Sequence, residues 1–262
     1  MFGTSSILPL GGLLALSAIG AGCFTPPDSL PPPTQVSVES VNDGDSFHAS
    51  GPVEVRLLGI NAPELDECGG EEAARHLESL IGGGSVSLQG PGEADQFGRL
   101  LAVVWRESTD INAAMVEAGW AIATSDGDYL EAETAARDAG RGLWAEMACG
   151  ADQPLTKLQI IDLDFDPPGS DEAEAVTIGN PHPFAVDLEG YVLRDESSVN
   201  RFGFPAFTLE GDDEVTVVTG CGDDRPGLLH WCADQPVWNN SGDAALILDR
   251  DGRVVAFYRY LP

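Results

Sequence analysis

Positive charge and long apolar runs are both scarce in this sequence of 262 residues. Only 13 residues are basic against 43 acidic ones, so the formal net charge is −30, and Lys157 is the single lysine. A protein that holds nucleic acid through a broad basic face is therefore excluded. Contact with a polyanion would require a few placed arginines, a metal ion, or both. No apolar stretch reaches the roughly 18 residues of a membrane-spanning helix, which argues against a transporter or channel.

The composition is that of a folded protein. Hydrophobic residues make up 43% of the chain and charged residues 21%, and a disordered chain has fewer of the former. At roughly 150 residues per domain, this length predicts one large domain or two ordinary ones.

The beginning of the chain has the pattern of a targeting segment. Residues 7–19 are apolar, which is the length of a signal-peptide core, and they lead to Gly20-Ala21-Gly22-Cys23. Small residues before a cysteine, followed by a proline-rich stretch, resemble a bacterial lipoprotein export signal. The resemblance implies an export signal over residues 1–23, a lipid on Cys23 and a tether over residues 24–34. The protein would be extracellular or tethered to the outer face of the cell membrane.

The remaining cysteines agree with export. Their even number suggests disulfides, and they are Cys68, Cys149, Cys221 and Cys232. Four cysteines allow three pairings, and the domain boundaries favour Cys68 with Cys149 and Cys221 with Cys232. A zinc site is the alternative, which the absence of any Cys-x-x-Cys spacing makes the weaker hypothesis.

Residues 35–150 have the pattern of a small β-barrel that carries helices. Apolar and polar residues alternate over residues 53–57, which predicts a half-buried strand. Residues 71–81 have apolar side chains at helical spacing and end at three glycines. Residues 111–118 and 129–139 predict two further helices. Short strands first and helices late indicate an α+β arrangement.

The pattern changes beyond a polar break at residues 151–155. Residues 156–262 contain about seven short β runs separated by turn signals, which is typical of a β-sandwich. The runs are 158–161, 175–178, 190–193, 206–209, 214–218, 244–248 and 254–258. We therefore predict two domains, 35–150 and 156–262.

A set of polar residues interrupts the hydrophobic pattern of the first domain. Arginine grips phosphate with two hydrogen bonds, hard oxygen donors suit calcium, and a glutamate beside them can orient or deprotonate water. These are the parts needed to cleave a phosphodiester. Taken singly, each residue has a plainer interpretation as a turn, a surface ion pair or a helix start. The residues are Asp43, Asp45, Arg56, Asn61, Glu64 and Arg99.

Five blocks of the first domain occur in a recognisable order and spacing. They are 41–46, 55–64, 95–102, 111–119 and 140–144. Together these blocks resemble the staphylococcal nuclease (thermonuclease) family. The resemblance implies an OB-fold barrel that uses calcium to cleave both DNA and RNA, with 3′-phosphate products.

The resemblance also assigns roles to positions of this chain. These are the catalytic residues Arg56, Glu64 and Arg99, the calcium ligands Asp45, Asn61 and the main-chain carbonyl of Ala62, and the supporting residues Asp43 and Asp95. Three features depart from the family pattern. Asn61 stands where the family's type member has aspartate, Gln96 replaces a lysine that contacts phosphate, and residues 122–125 lack two tyrosines of the nucleotide pocket.

The second domain resembles the lamin tail domain, an immunoglobulin-like sandwich, through blocks at 176–180, 188–195 and 237–243. That resemblance assigns it no chemistry. The leading hypothesis is an exported, monomeric nuclease without a protein partner, which meets the membrane only through the lipid on Cys23. The alternative is a non-catalytic exported binding protein with a degenerate nuclease-like barrel. The three retained catalytic residues favour the enzyme, whereas Asn61 favours the alternative.

Overall fold

The computed structural model describes Met1 and residues 34–169, 174–197 and 199–261. The predicted export signal, Cys23 and the tether up to residue 33 lie outside these residues. In the described part of the chain, no helix is both long enough and apolar enough to cross a membrane.

The described residues before the polar break form a closed five-stranded barrel with three helices. In chain order the strands are β1 (Thr34–Val41), β2 (Ser46–Ala49), β3 (Val53–Leu57), β4 (Ile60–Asn61), β5 (Ser85–Gln89), β6 (Leu100–Arg106), β7 (Thr109–Asp110) and β8 (Ile122–Ala123). The helices are α1 (Gly70–Ile81), α2 (Ile111–Glu117) and α3 (Leu130–Asp138). The barrel order is β3-β2-β1-β5-β6, and parallel pairing of β3 with β6 closes it. The predicted α+β barrel is confirmed.

Hydrophobic periodicity explains why these segments form strands and helices. In β3, Val55 and Leu57 are buried in the core while Arg56 between them is partly exposed. In α1, Leu77 and Ile81 are fully buried one turn apart. Burying one such side chain contributes about 1.5–3 kcal/mol to the free energy of folding. The core therefore holds β3, which carries Arg56, in a fixed place.

The observed elements differ from the predicted ones at a few boundaries. Strands β2, β4, β7 and β8 were not predicted, because two to four residues are too short a run to show alternation. Helix α1 begins at Gly70, one residue before the predicted start at Glu71, and only glycine fits at position 70. A Cβ on Gly70 would lie 1.8 Å from the carbonyl oxygen of Glu64. Helices α2 and α3 end one residue earlier than predicted.

The described residues after the break form two four-stranded sheets around a second apolar core. The strands are β9 (Gln159–Asp164), β10 (Ala175–Gly179), β11 (Val186–Asp187), β12 (Val192–Arg194), β13 (Arg201–Gly203), β14 (Thr208–Leu209), β15 (Glu214–Val218), β16 (Leu228–His230), β17 (Asp243–Leu248) and β18 (Val254–Tyr260). The sheet orders are β16-β15-β10-β9 and β13-β12-β17-β18, and β11 pairs with β14. The predicted β-sandwich is confirmed. Strands β11, β13 and β16 were missed because two or three residues are too few to show a period.

The two domains share a small apolar core. Ile122 of β8 packs against one face of β17, and Trp144 meets Phe257 edge to face with 5.2 Å between ring centroids. Alternate residues of β17 belong to the sandwich core and to this shared core. The five residues of β17 that follow Asp243 are therefore buried on both faces, which explains the continuous apolar run over 244–248.

Both predicted disulfides are present. Cys68 pairs with Cys149 across a sequence separation of 81 residues, and Cys221 pairs with Cys232. The first closes the barrel domain on itself, and the second lies within the sandwich. Disulfides persist in oxidising compartments, so the pair suggests an extracellular protein.

Candidate nuclease site

The tight turn between β1 and β2 is organised by the side chain of Asp43. One carboxylate oxygen accepts the amide of Asp45 at 2.9 Å, and the other accepts the Ser46 hydroxyl at 2.9 Å. A side chain that satisfies the backbone two residues on is the usual role of aspartate in turns. The turn leaves Asp45 buried, with its side chain 7% exposed.

Asp45 carries a buried carboxylate, and two groups donate hydrogen bonds to it. Its Oδ2 accepts the amide of Ala62 at 2.6 Å and pairs with Nη1 of Arg56 at 2.7 Å. Burial raises the pKa of Asp45 to about 7 from an ordinary value of 3.8, although the charge of Arg56 acts in the opposite direction. One arginine therefore does not offset the loss of hydration of this carboxylate.

Arg56 joins the two oxygen-bearing side chains of the site. It projects from β3, its side chain is 15% exposed, and Nη2 donates to Oδ1 of Asn61 at 2.8 Å. Asp45 and Asn61 thus present their oxygens to the same guanidinium group. This arrangement is not that of a solvated surface ion pair.

Glu64 is the exposed acid of the site. It follows the buried Pro63 and lies six residues before α1 begins, so it is not a helix-start residue. Its carboxylate has no hydrogen bond within the described part of the chain, whereas its main-chain amide donates to Glu67 at 3.2 Å. The Glu64 carboxylate is therefore accessible to a ligand.

The environment of Glu64 shows which charges lie near it. Burial raises the pKa of Glu64, and the negative charges of Asp43 and Glu67 raise it further. The positive charges of Arg56 and Arg99 lower it. Both arginines and the glutamate predicted to be catalytic thus lie within one electrostatic neighbourhood.

Arg99 is held by a compact loop before β6. Asp95 accepts the amides of Phe97 and Arg99 through Oδ1, at 2.9 and 3.0 Å, and Nε of Arg99 through Oδ2 at 2.8 Å. Burial by itself would raise the pKa of Asp95, yet the hydrogen bonds from Arg99 and Phe97 keep that pKa below its ordinary value. Asp95 therefore acts on the site through the orientation of Arg99.

Three residues outside the predicted set also contact the site. Phe97 is 74% exposed, and the Arg99 guanidinium lies 5.4 Å from its ring centroid. Glu67 accepts the main-chain amide of Glu64. Phe97 lies within one of the recognised blocks and Glu67 lies three residues after another, so their positions in the sequence could have indicated both. Glu196 of the second domain accepts the side-chain amide of Asn61 through its carbonyl. No local signal marks Glu196, because 135 residues separate the two.

The donors in this site fit calcium in type and are few in number. Asp45 supplies a carboxylate oxygen and Asn61 an amide oxygen, and both converge on the cationic head of Arg56. Hard oxygens of these kinds are what calcium binds. Across residues 34–169, 174–197 and 199–261, no group of three or more His, Cys, Asp or Glu side chains is placed to hold a metal ion. A cation here would depend on one carboxylate together with neutral oxygens.

Two family models match this chain in sequence. Residues 54–146 match the model of the staphylococcal nuclease homologue family, and residues 151–261 match that of the lamin tail domain. An uncharacterized endonuclease of Haemophilus influenzae is 34% identical over 117 residues, which cover 42% of this chain and 65% of that protein. A micrococcal nuclease of Shigella flexneri is 32% identical over 127 residues, which cover 42% of this chain and 72% of that protein.

The extent of each match differs among the relatives. A protein of Oryza sativa subsp. japonica, named as a probable staphylococcal-like nuclease, is 38% identical over 95 residues, and the chain spans 26% of its length. The chain thus spans less than two thirds of the Haemophilus and rice proteins and more than two thirds of the Shigella protein. With both family models matching in order, the chain belongs to the staphylococcal nuclease family and carries a lamin tail domain behind the nuclease domain.

Proposed function

We propose that this chain is an exported, calcium-dependent nuclease that hydrolyses phosphodiester bonds of both DNA and RNA and leaves 3′-phosphate products. The observation that carries the proposal is the exposed carboxylate of Glu64, whose pKa both Arg56 and Arg99 lower through their positive charge. Nucleases among the relatives support the same reaction class. Export is supported by the two disulfides and by the signal-like sequence that ends at Cys23, the proposed site of lipid attachment.

The proposed roles are those that the family resemblance implies, and the chemistry of each side chain suits them. Arg56 and Arg99 bind oxygens of the scissile phosphate and stay charged as negative charge develops there. Glu64 orients a water molecule toward phosphorus and accepts its proton. The bond from phosphorus to the 5′ oxygen breaks, and that oxygen leaves as a hydroxyl after taking a proton from solvent. Asp43 and Asp95 keep the turn and the arginine loop in place.

Asp45, Asn61 and the carbonyl of Ala62 would hold the calcium ion. Calcium, when bound, supplies positive charge that stabilises the phosphate oxygens. Because one carboxylate and an amide carry less negative charge than two carboxylates, we expect a dissociation constant on the order of 0.1–1 mM, as in other calcium sites with few charged ligands.

Cleavage with and without calcium tests the proposal. The full chain is incubated with plasmid DNA and with RNA, either in about 5 mM calcium, above the expected dissociation constant, or in excess chelator. We expect both substrates to be cleaved in calcium and neither in chelator. A kinase should label the 5′ ends of the products without phosphatase treatment, and terminal transferase should extend the 3′ ends of the DNA products only after it. No cleavage of either substrate would instead support the non-catalytic binding protein, with Asn61 as the weakened ligand.

The acidity of the nuclease domain predicts an unusual salt dependence. Residues 35–150 contain 21 acidic and 6 basic residues, so the domain repels a polyanion over distances of about one Debye length, roughly 10 Å at 0.1 M salt. We expect the cleavage rate on plasmid DNA to rise as salt increases toward about 0.1 M. A dinucleotide substrate is the control, since its small charge should make its rate nearly flat. A steady decline for plasmid DNA from the lowest salt upward would contradict the prediction.

A further inference from the structure

The loop over residues 61–67 carries three of the residues proposed to act in the nuclease site. They are Asn61, Ala62 and Glu64. Both ends of this loop contact the lamin tail domain. We infer that the lamin tail domain is a positioning part of the nuclease site, with Glu196 orienting Asn61 and Arg201 orienting Glu67. The inference rests on the proposed role of Asn61 as a ligand, and its test does not depend on cleavage.

The first anchor is the side-chain amide of Asn61. Its Nδ2 donates to the main-chain carbonyl of Glu196 at 2.9 Å, and its Oδ1 accepts from Arg56 at 2.8 Å. Rotating the amide by half a turn would place oxygen against the Glu196 carbonyl and nitrogen against the guanidinium. The carbonyl of the second domain therefore acts together with Arg56 in favouring the orientation in which the Asn61 oxygen faces the guanidinium.

Glu196 is itself held so that its carbonyl has one position. Its carboxylate accepts the amide of Ser125 at 2.9 and 3.1 Å and the Ser125 hydroxyl at 2.7 Å. Arg259 pairs with the same carboxylate at 2.6 Å, and the Glu196 amide donates to Asp243 at 3.3 Å. Ser125 follows β8, whose Ile122 pairs with Asn61 in β4. The contacts therefore run from Asn61 to Glu196, from Glu196 to Ser125, and through β8 back to Asn61, so they close on themselves across the domain boundary.

The second anchor is at the other end of the loop. Arg201 of β13 forms an ion pair with one carboxylate oxygen of Glu67, and the other oxygen accepts the amide of Glu64 at 3.2 Å. Close packing continues at the next residue, because a Cβ on Gly252 would lie 2.9 Å from the Cβ of Cys68. Glu64 is thus placed through Glu67 by an arginine of the second domain.

These contacts give a physical reason for asparagine at position 61. An aspartate has no N–H group, so one of its oxygens would face the Glu196 carbonyl oxygen at hydrogen-bond distance, which is repulsive and leaves the carbonyl unsatisfied. An asparagine provides an oxygen for the site and a donor for the second domain. The contact with the lamin tail domain thus accounts for asparagine at this position while an oxygen still faces Arg56.

Nuclear magnetic resonance of the full chain, labelled with ¹⁵N at its seven asparagines, tests the first anchor directly. The Asn61 side-chain signal is assigned by its absence in Asn61→Asp. We expect its amide protons to exchange with solvent at least about 10-fold more slowly than those of the exposed Asn240, and to lose that protection in Glu196→Ala. The exposed Glu210→Ala is the control and should leave the signal unchanged. Exchange of Asn61 as fast as that of Asn240 in the wild type would overturn the inference.

Calcium titration by calorimetry provides the second measurement. We expect Glu196→Ala to raise the calcium dissociation constant about 10-fold, as loss of a group that orients a ligand does, while Glu210→Ala leaves it unchanged. Should Glu196→Ala not fold, Asn61→Asp decides, because the opposed oxygens should lower its unfolding midpoint by about 4 °C. An unchanged midpoint overturns the inference. A wild type that cleaves nothing overturns the proposed function alone, since amide exchange still reports the anchor.

Discussion

Glu64→Gln is expected to lower the cleavage rate about 1,000-fold, within the range lost when a positioned general base is removed. Glutamine has almost the same shape and can accept a hydrogen bond from water, but it cannot take a proton at neutral pH. The Glu64 carboxylate is exposed and makes no hydrogen bond within the described residues. The free energy of unfolding should therefore change by less than about 0.5 kcal/mol.

The matched control for this variant is Glu39→Gln. Glu39 is an exposed acid on β1, so its substitution removes the same charge from the same domain. Rates are measured on plasmid DNA at saturating calcium, with thermal unfolding of each variant alongside. If Glu64→Gln cleaved as fast as Glu39→Gln, Glu64 would not be the base. A joint loss of stability and activity would instead indicate a structural role.

Arg259→Ala is expected to destabilise the folded chain by about 3–5 kcal/mol, the usual consequence of removing one partner from a buried ion pair. Arg259 of β18 pairs with Glu133 of α3 at 2.8 Å and with Glu196 at 2.6 Å. It also donates to the carbonyl of Ala123 at 2.7 Å. The Glu133 side chain is only 2% exposed, so its carboxylate would be left buried without the cation.

Urea unfolding in the absence of calcium measures this effect, because bound calcium would add its own stabilisation to the folded state. Arg225→Ala is the control, since Arg225 is an exposed arginine of the same domain, and it should change the unfolding free energy by less than about 0.5 kcal/mol. Arg259→Lys should fall between the two, since a single ammonium group cannot bind two carboxylates as a guanidinium does. A decrease in the unfolding free energy of less than about 1 kcal/mol for Arg259→Ala would mean that the packing of the two domains does not depend on this residue.

The elements that could be predicted are those whose signal is local. The alternation in β3 and the helical spacing in α1 arise because each element buries one face against a single core. Such a period is visible in the sequence without knowledge of the elements that pack against it. Strands β11, β13 and β16 contain two or three residues each, too few to show a period. Their positions are set by the neighbouring strands with which they pair.

The candidate site divides in the same way. The sequence by itself determined the residue types, because Arg56, Glu64 and Arg99 occur in ordered blocks with the spacing that the family chemistry requires. It also predicted two domains and favoured one of the three possible disulfide pairings. Each of these depends on the order of residues along the chain, which the sequence gives directly.

Only the tertiary structure decided how the loop that carries Asn61 and Glu64 is held. Its anchors, Glu196 and Arg201, lie more than 130 residues further along the chain, and Arg259 reaches Glu133 across 126 residues. Contacts over such distances arise when two finished domains pack through shared apolar faces, and neither periodicity nor spacing records them. The sequence could mark Asn61 as a departure from its family. The reason for that departure became visible only when a backbone carbonyl from the second domain was found beside it.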